Sequence, residues 1–213
     1  MNVLKVPLGP LKTNCYIVGD GHDCIVIDPA DNAKFIVQTA TDAGWTIREI
    51  LATHGHFDHI MAVADLKALT GARFRCHALE AGMVRTMPDT VARLIGLKAP
   101  QPAEPDGFVE EGEQICVGEI TLEVLFTPGH SAGHVSYVER AQKLLFDGDV
   151  LFMNTVGRTD LPGMSHAVLM ESIMAKLMPL DDEVIVLPGH GHNTTIGDER
   201  RKNPYIQEYQ KSR

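Results

Sequence analysis

Seven of the chain's ten histidines fall into three short clusters, at 54–59, 130–134 and 190–192. The densest stretch is Thr53-His54-Gly55-His56-Phe57-Asp58-His59, with four potential metal ligands inside six residues. Histidines that fill a core singly, or lie scattered on a surface, do not group this way. On a loop, the i and i+2 rings of a His-x-His pair converge on one ion, and the Asp-His that follows can turn toward a second. Imidazole nitrogen and carboxylate oxygen suit zinc and iron. Gly55 lets the backbone bend between the first two rings.

Three more segments follow in order: Thr127-Pro128-Gly129-His130-Ser131-Ala132-Gly133-His134, Phe146-Asp147-Gly148-Asp149 and Pro188-Gly189-His190-Gly191-His192. Alone, each is weak, because a Pro-Gly-His turn can do no more than shape a loop. Together they share a placement. Each of the four clusters lies directly after an apolar, β-rich run, ending at Thr53, Thr127, Phe146 and Leu187 respectively.

Patterning predicts strands at 15–18, 24–28, 47–52, 72–76, 114–117, 120–126, 134–138, 143–146 and 183–187. It predicts helices at 32–43, 60–69, 78–87 and 166–178, and a Pro-rich surface loop at 99–107. Strands and helices thus alternate in both halves, and the clusters fall at strand ends, where layered α/β domains gather ligands. A chain of 213 residues without a low-complexity or linker-like stretch suits a single domain.

The net charge of −9, with no lysine or arginine run that suggests a nucleic-acid footprint, argues against nucleic acid as a partner. No apolar run approaches the roughly 18 residues of a membrane span. Residues 1–10 carry no apolar signal segment, so a cytoplasmic protein is expected. Cys15, Cys24, Cys76 and Cys116 are widely spaced, form no CxxC, and read as reduced core or strand residues.

The order THGHFDH, TPGHSAGH, Gly148-Asp149 and PGHG resembles the metallo-β-lactamase superfamily. Within it, the sequence is most similar to glyoxalase II-like hydrolases of the short type. Asn14-Cys15-Tyr16, Ile27-Asp28-Pro29, the 157–163 segment, the 194–197 segment and Asn203-Pro204 extend the resemblance over nearly the whole chain. It implies an α/β (α+β) fold, a four-layer αββα sandwich of two mixed sheets with helices outside. It also implies that His54, His56 and His130 bind one metal, that Asp58, His59 and His190 bind another, and that Asp149 bridges them.

The cofactor so implied is a pair of divalent ions, zinc first, with iron or manganese admitted by the same donors. The reaction expected is attack of a metal-activated hydroxide on a glutathione-type thioester such as S-D-lactoylglutathione, with Asp58 orienting the hydroxide as the catalytic side chain. A thiol pKa near 8.5 lets the thiolate leave without a strong acid. Only 23 residues follow His190, so the C-terminal helical domain that holds glutathione in longer relatives is not expected. Rival readings are a persulfide dioxygenase with one iron, a lactonase or β-lactamase, and a metal-binding module without turnover.

Other residues carry two readings each. Asp28 either hydrogen-bonds a ligand histidine or caps a helix. Arg158 holds a substrate carboxylate, or pairs with Asp160 to shape the loop after Asp149. His134 supports the site from behind or is structural. His192 is expected to pack its loop. His22, His77 and His166 are expected to play no catalytic part. Met164, Met170, Met174 and Met178 read as core filling.

Overall fold

The computed structural model describes residues 1–96 and 103–211. Its layering follows from the two-residue period of the central strands, whose successive side chains point to opposite faces. In β2 (Thr13–Asp20), Cys15 and Ile17 enter one apolar core while Tyr16 and Val18 enter another. In β3 (Asp23–Ile27), Cys24 and Val26 join the first core, and Ile25 and Ile27 the second. Strands buried on both faces read as unbroken apolar runs, which is why these segments show no polar alternation.

Both strands belong to a six-stranded sheet ordered β1-β2-β3-β4-β5-β6, with β1 (Asn2–Leu8), β4 (Thr46–Leu51), β5 (Arg73–His77) and β6 (Gly107–Val109). β1 to β3 pair antiparallel and β3 to β6 parallel. The second six-stranded sheet takes in β7 (Gln114–Val117), β8 (Ile120–Phe126), β9 (Val135–Glu139), β10 (Leu144–Gly148), β13 (Ile185–Pro188) and β14 (Thr194–Thr195). Its order is β14-β13-β10-β9-β8-β7, and only β10 and β13 run parallel. β11 (Leu151–Phe152) and β12 (Thr155–Val156) form a small hairpin.

The same period sorts the second sheet. Leu122, Val124, Val135, Tyr137 and Phe146 face the first sheet, while Leu125, Val138, Leu145 and Val186 face outward. The outer face of the first sheet is covered by α1 (Ala33–Asp42), α2 (Phe57–Ile60), α3 (Val63–Thr70) and α4 (Ala81–Ile95), through residues such as Ile36, Leu66 and Val84. The outer face of the second is covered by α5 (His166–Ser172), α6 (Ile196–Lys202) and α7 (Pro204–Lys211), through Leu169, Ile196 and Ile206. Three apolar cores between four layers make the αββα sandwich.

Two buried phenols bolt the sheets together. Tyr137 Oη donates to the Ala52 carbonyl at 2.8 Å, and Tyr16 Oη donates to the Pro188 carbonyl at 2.7 Å. Asn14 adds its backbone N–H to the Gly189 carbonyl at 2.7 Å and its Nδ2 to the Pro188 carbonyl at 2.8 Å. The Asn14-Cys15-Tyr16 motif therefore straps down the loop that carries His190.

Several expectations change. β1 was not read from sequence, and its Pro7 is tolerated because an edge strand need not donate on its open side. The 78–87 helix begins as a 3-10 turn at Ala78–Glu80 and then runs through Pro88 to Ile95, because Val84, Met87 and Val91 hold it to the core on both sides of the break. The 60–69 helix splits into α2 and α3, and Ala62 N–H turns to the Pro29 carbonyl at 3.0 Å between them. The 166–178 helix opens into a π-helical turn at Ile173–Leu177. The strand expected at 183–187 is β13, which begins at Ile185. Of the 99–107 loop, residues 99–102 lie outside the described residues, and Gly107 already begins β6.

The four cysteines are free; Cys15, Cys24 and Cys76 are buried on strands, while Cys116 is exposed on β7. No helix among the described residues is long and apolar enough to cross a membrane.

Candidate metal centre

The four clusters meet at one end of the sandwich, where β4, β8, β10 and β13 finish. Close approach there depends on glycine. Any Cβ at Gly189 would run into Asp149 Oδ1 and the His59 ring. Gly148 holds φ at +51°, and a Cβ on it would strike Thr53 and His134.

All seven predicted ligands come together. His56 Nδ1 lies 2.8 Å from His54 Nε2 and 2.9 Å from His130 Nε2. His190 Nε2 lies 3.2 Å from Asp58 Oδ2. Asp149 stands between the two groups: its Oδ2 is 3.6 Å from His130 Nε2 and from His190 Nε2, and its Oδ1 is 3.6 Å from His59 Nε2. Three ligand sets satisfy the distances for one ion each: His54, His56 and His130; His54, His59 and Asp149; Asp58, His59 and His190.

The surrounding hydrogen bonds fix which ring nitrogen faces inward. Asp28 accepts from Thr53 N at 2.7 Å, from Thr53 Oγ1 at 2.8 Å and from His59 Nδ1 at 2.9 Å. The Thr53 hydroxyl, having given its proton to Asp28, accepts from His54 Nδ1 at 3.0 Å. His130 Nδ1 donates to the Arg158 carbonyl at 2.9 Å. The Nε2 atoms of His54, His59 and His130 therefore point at the centre, an orientation that carboxylate and carbonyl partners commonly impose on ligating histidines.

A His56 Nδ1 within 2.9 Å of two other imidazole nitrogens is a poor arrangement without a cation, since one ring proton on His56 cannot serve both neighbours well. His59 Nε2 and Asp149 Oδ1 are buried with no hydrogen-bond partner at all. Such orphaned donors and acceptors are costly unless something else satisfies them. The residues fit metal. Burial, aided by neighbouring rings, holds His56 down to about 3 and His54 well below the usual histidine value, so both offer neutral nitrogens. Burial opposes a charge on His59 as well, but Asp149, Asp28 and Asp58 override it and push that ring up to about 10. The two halves of the centre thus differ: one is a neutral nitrogen cage and the other a nest of negative charge.

Glu80 was missed from sequence, where it sat inside a predicted helix. It is fully buried, accepts from Gly55 N at 2.7 Å through Oε2, and accepts from Ser131 Oγ at 2.9 Å and Gly133 N at 2.6 Å through Oε1. One carboxylate so ties the 54–59 loop to the 130–134 loop. Its position just after β5 follows the same strand-end rule that marked the other clusters. Thr13 was also missed; its hydroxyl donates to Asp58 Oδ2 at 2.8 Å.

The paired readings resolve. Asp28 orients His59. His134 supports from behind: its Nε2 accepts Asp149 N–H at 3.1 Å, and its Nδ1 lies 3.0 Å from Thr127 Oγ1. Thr127 meets Ser136 Oγ at 3.0 Å, and Ser136 donates to Asp147 at 2.7 Å. Arg158 and Asp160 form an exposed two-bonded pair at 2.8 and 2.9 Å. His192 is exposed, next to Gly191 at φ +72°. Met170 and Met178 are buried and Met174 partly so, as expected, but Met164 lines the cavity instead of the core.

That cavity, about 710 Å³, opens over the cluster. His56, Asp58, His130, Asp149 and His190 face it, beneath apolar walls from Leu11, Phe57, Met83 and Met87 on one side and Phe152, Leu161, Pro162 and Met164 on the other.

Two face-to-face sheets with a histidine and aspartate cluster at their shared end define a metallo-hydrolase. The chain belongs to the metallo-beta-lactamase superfamily, whose model matches residues 8–190. It is 34% identical over 209 residues to the hydroxyacylglutathione hydrolase GloC of Haemophilus influenzae, covering 97% of this chain and 98% of GloC. The fold matches BLEG-1, a B3 metallo-beta-lactamase, with a TM-score of 0.90 and 35% identity over 96% of this chain and 99% of that one. It also matches TTHA1623 in a di-iron-bound form, with a TM-score of 0.87 and 38% identity over 95% of this chain and 100% of that one.

Proposed function

We propose that this metallo-hydrolase cleaves glutathione-type thioesters, with S-D-lactoylglutathione as the reference substrate. His54, His56 and His130 would hold one divalent ion, Asp58, His59 and His190 a second, and Asp149 both. Zinc is the first choice, with iron or manganese as alternatives. Bound there, the metals supply Lewis acidity, making hydroxide available near neutral pH and polarising the acyl carbonyl.

The observation that carries the thioester reading is what the cavity wall lacks. Among the described residues it offers no lysine, tyrosine or glutamate, and the Ser131 hydroxyl is already given to Glu80. A leaving group must depart with little protonation. A thiolate, with a pKa near 8.5, does so far more readily than an amine or alkoxide. Asp58, fixed by Thr13 Oγ1 at 2.8 Å, orients the attacking water through its carboxylate. Phe57, Met83 and Met87 keep bulk water from the acyl group. The likeness to GloC supports the same substrate class. Four free cysteines suit a reducing cytoplasm.

A second reading, β-lactam opening, draws support from the likeness to BLEG-1. Purified, zinc-loaded protein separates the two. Thiol release from S-D-lactoylglutathione is expected, with little ring opening of a β-lactam; the reverse pattern rejects the thioester reading.

A further inference from the structure

The wall formed by α4 has a direction. Met83, Met87, Thr90 and Arg93 line the cavity and follow one another at spacings of four, three and three residues, which places them along one face of the helix. The near end lies at the metal centre: a Cβ on Gly55, between His54 and His56, would sit 3.0 Å from Met83 Cβ. The far end is Arg93, ten residues on, so about 15 Å along the axis at 1.5 Å per residue. The strip runs from apolar at the scissile end to cationic at the outer end.

Arg93 differs from the other charged groups facing the cavity. Asp58 and Asp149 belong to the ligand cluster, and Arg158 is neutralised by its two bonds to Asp160. Among the described residues Arg93 makes no ion pair or hydrogen bond; Asp89, one turn back, does not pair with it. In a chain of net charge −9, it is the one uncompensated cation lining the cavity among those residues.

We propose that Arg93 is a specificity-determining residue that binds the distal carboxylate of the thiol half of the substrate, while the acyl group lies against the metal centre. The inference rests on the thioester reading and names which thioesters fit. The ligand class is a thiol carried on an extended, peptide-like arm ending in a carboxylate. An arm two or three residues long spans about 7–10 Å, and the long arginine side chain closes the rest. Acyl groups on short neutral thiols lack the anion. Compact substrates, whose carboxylate adjoins the bond being cut, place it too close to the centre to meet Arg93.

The test measures binding, so it does not depend on turnover. Calorimetry with the zinc-loaded protein compares S-hexylglutathione, a thioether that cannot be hydrolysed, with its diethyl ester, in the parent, Arg93→Ala and Arg93→Lys. The expected result is tighter binding of the free acid by the parent and about a tenfold loss in Arg93→Ala, the size of one exposed charge-assisted hydrogen bond. Partial recovery in Arg93→Lys and unchanged binding of the ester by all three are also expected. Equal binding of acid and ester by the parent, or unchanged affinity in Arg93→Ala, overturns the proposal. Thiol release by the parent from the neutral S-acetyl-N-acetylcysteamine tests the thioester reading separately, so either idea can fail alone.

Discussion

Glu80 Oε1 accepts the backbone N–H of Gly133 at 2.6 Å, from a carboxylate that solvent cannot reach. A Cβ on Gly133 would lie 2.8 Å from that same oxygen, so the glycine and the glutamate are fitted to each other. The contact sets the separation of two ligand loops that come from different sheets. Glu80→Gln is expected to weaken metal binding, because a glutamine can accept at one end only and turns its NH₂ toward Gly55 or Gly133. The stability cost is about 1–3 kcal/mol for a buried donor left unpaired. Urea unfolding and chelator competition measure both effects; unchanged metal affinity would show that the clamp does not govern the site.

Asp28 governs the second sub-site in the same manner. Asp28→Asn turns an N–H₂ toward Thr53 or His59 and removes the anion that orients His59. Metal affinity is expected to fall about 10- to 100-fold, with a smaller effect on overall stability. Titration against a fluorescent chelator reads the change.

Asp149 stands where both ligand sets meet, with one buried oxygen that accepts no hydrogen bond. Asp149→Ala is expected to lose bound metal and turnover together. A variant that keeps its full metal complement and rate refutes the bridging role.

Tyr137→Phe serves as the contrast. It deletes only the hydrogen bond to the Ala52 carbonyl. The expected cost is about 1 kcal/mol of stability, with kcat and metal content unchanged. A large loss of rate would show that the inter-sheet bolt also tunes the chemistry.

Removal of metal by a chelator is expected to lower Tm, since a ligand bound only by the folded state stabilises it by mass action. It also exposes the clash of lone pairs among His54, His56 and His130. Readdition of zinc should restore the parent Tm. An unchanged Tm in metal-free protein would mean that the nitrogen cage is tolerated empty.

The ligands were legible because their signal is local: four of the seven lie within six residues, and each remaining one follows an apolar run. The layers were legible in outline: Cys24 to Ile27 is an unbroken apolar run, and 120–126 alternates, with Ile120, Leu122 and Val124 buried. What escaped were residues whose meaning depends on distant partners. Glu80 looks like any polar residue near a helix start until Gly55 and Gly133 are placed beside it. Thr13 gains its role only when β2 passes under Asp58. The pattern supported a helix only to 87, and tertiary burial of Val84 and Val91 carries α4 through Pro88 to Ile95. The outer half of the α4 strip, Thr90 and Arg93, lies beyond that proline, in a stretch whose pattern points to no element.

Each ion-sized gap draws two donors from the loop after β4 and one from the opposite sheet: His54 and His56 with His130, and Asp58 and His59 with His190. Neither half of the polypeptide owns a complete site. A cation captured here acts as a stitch between halves that are far apart along the chain, and its retention certifies that the two have docked in register. Cleavage of the backbone between Asp106 and Gln114 would therefore leave fragments that bind metal only when recombined.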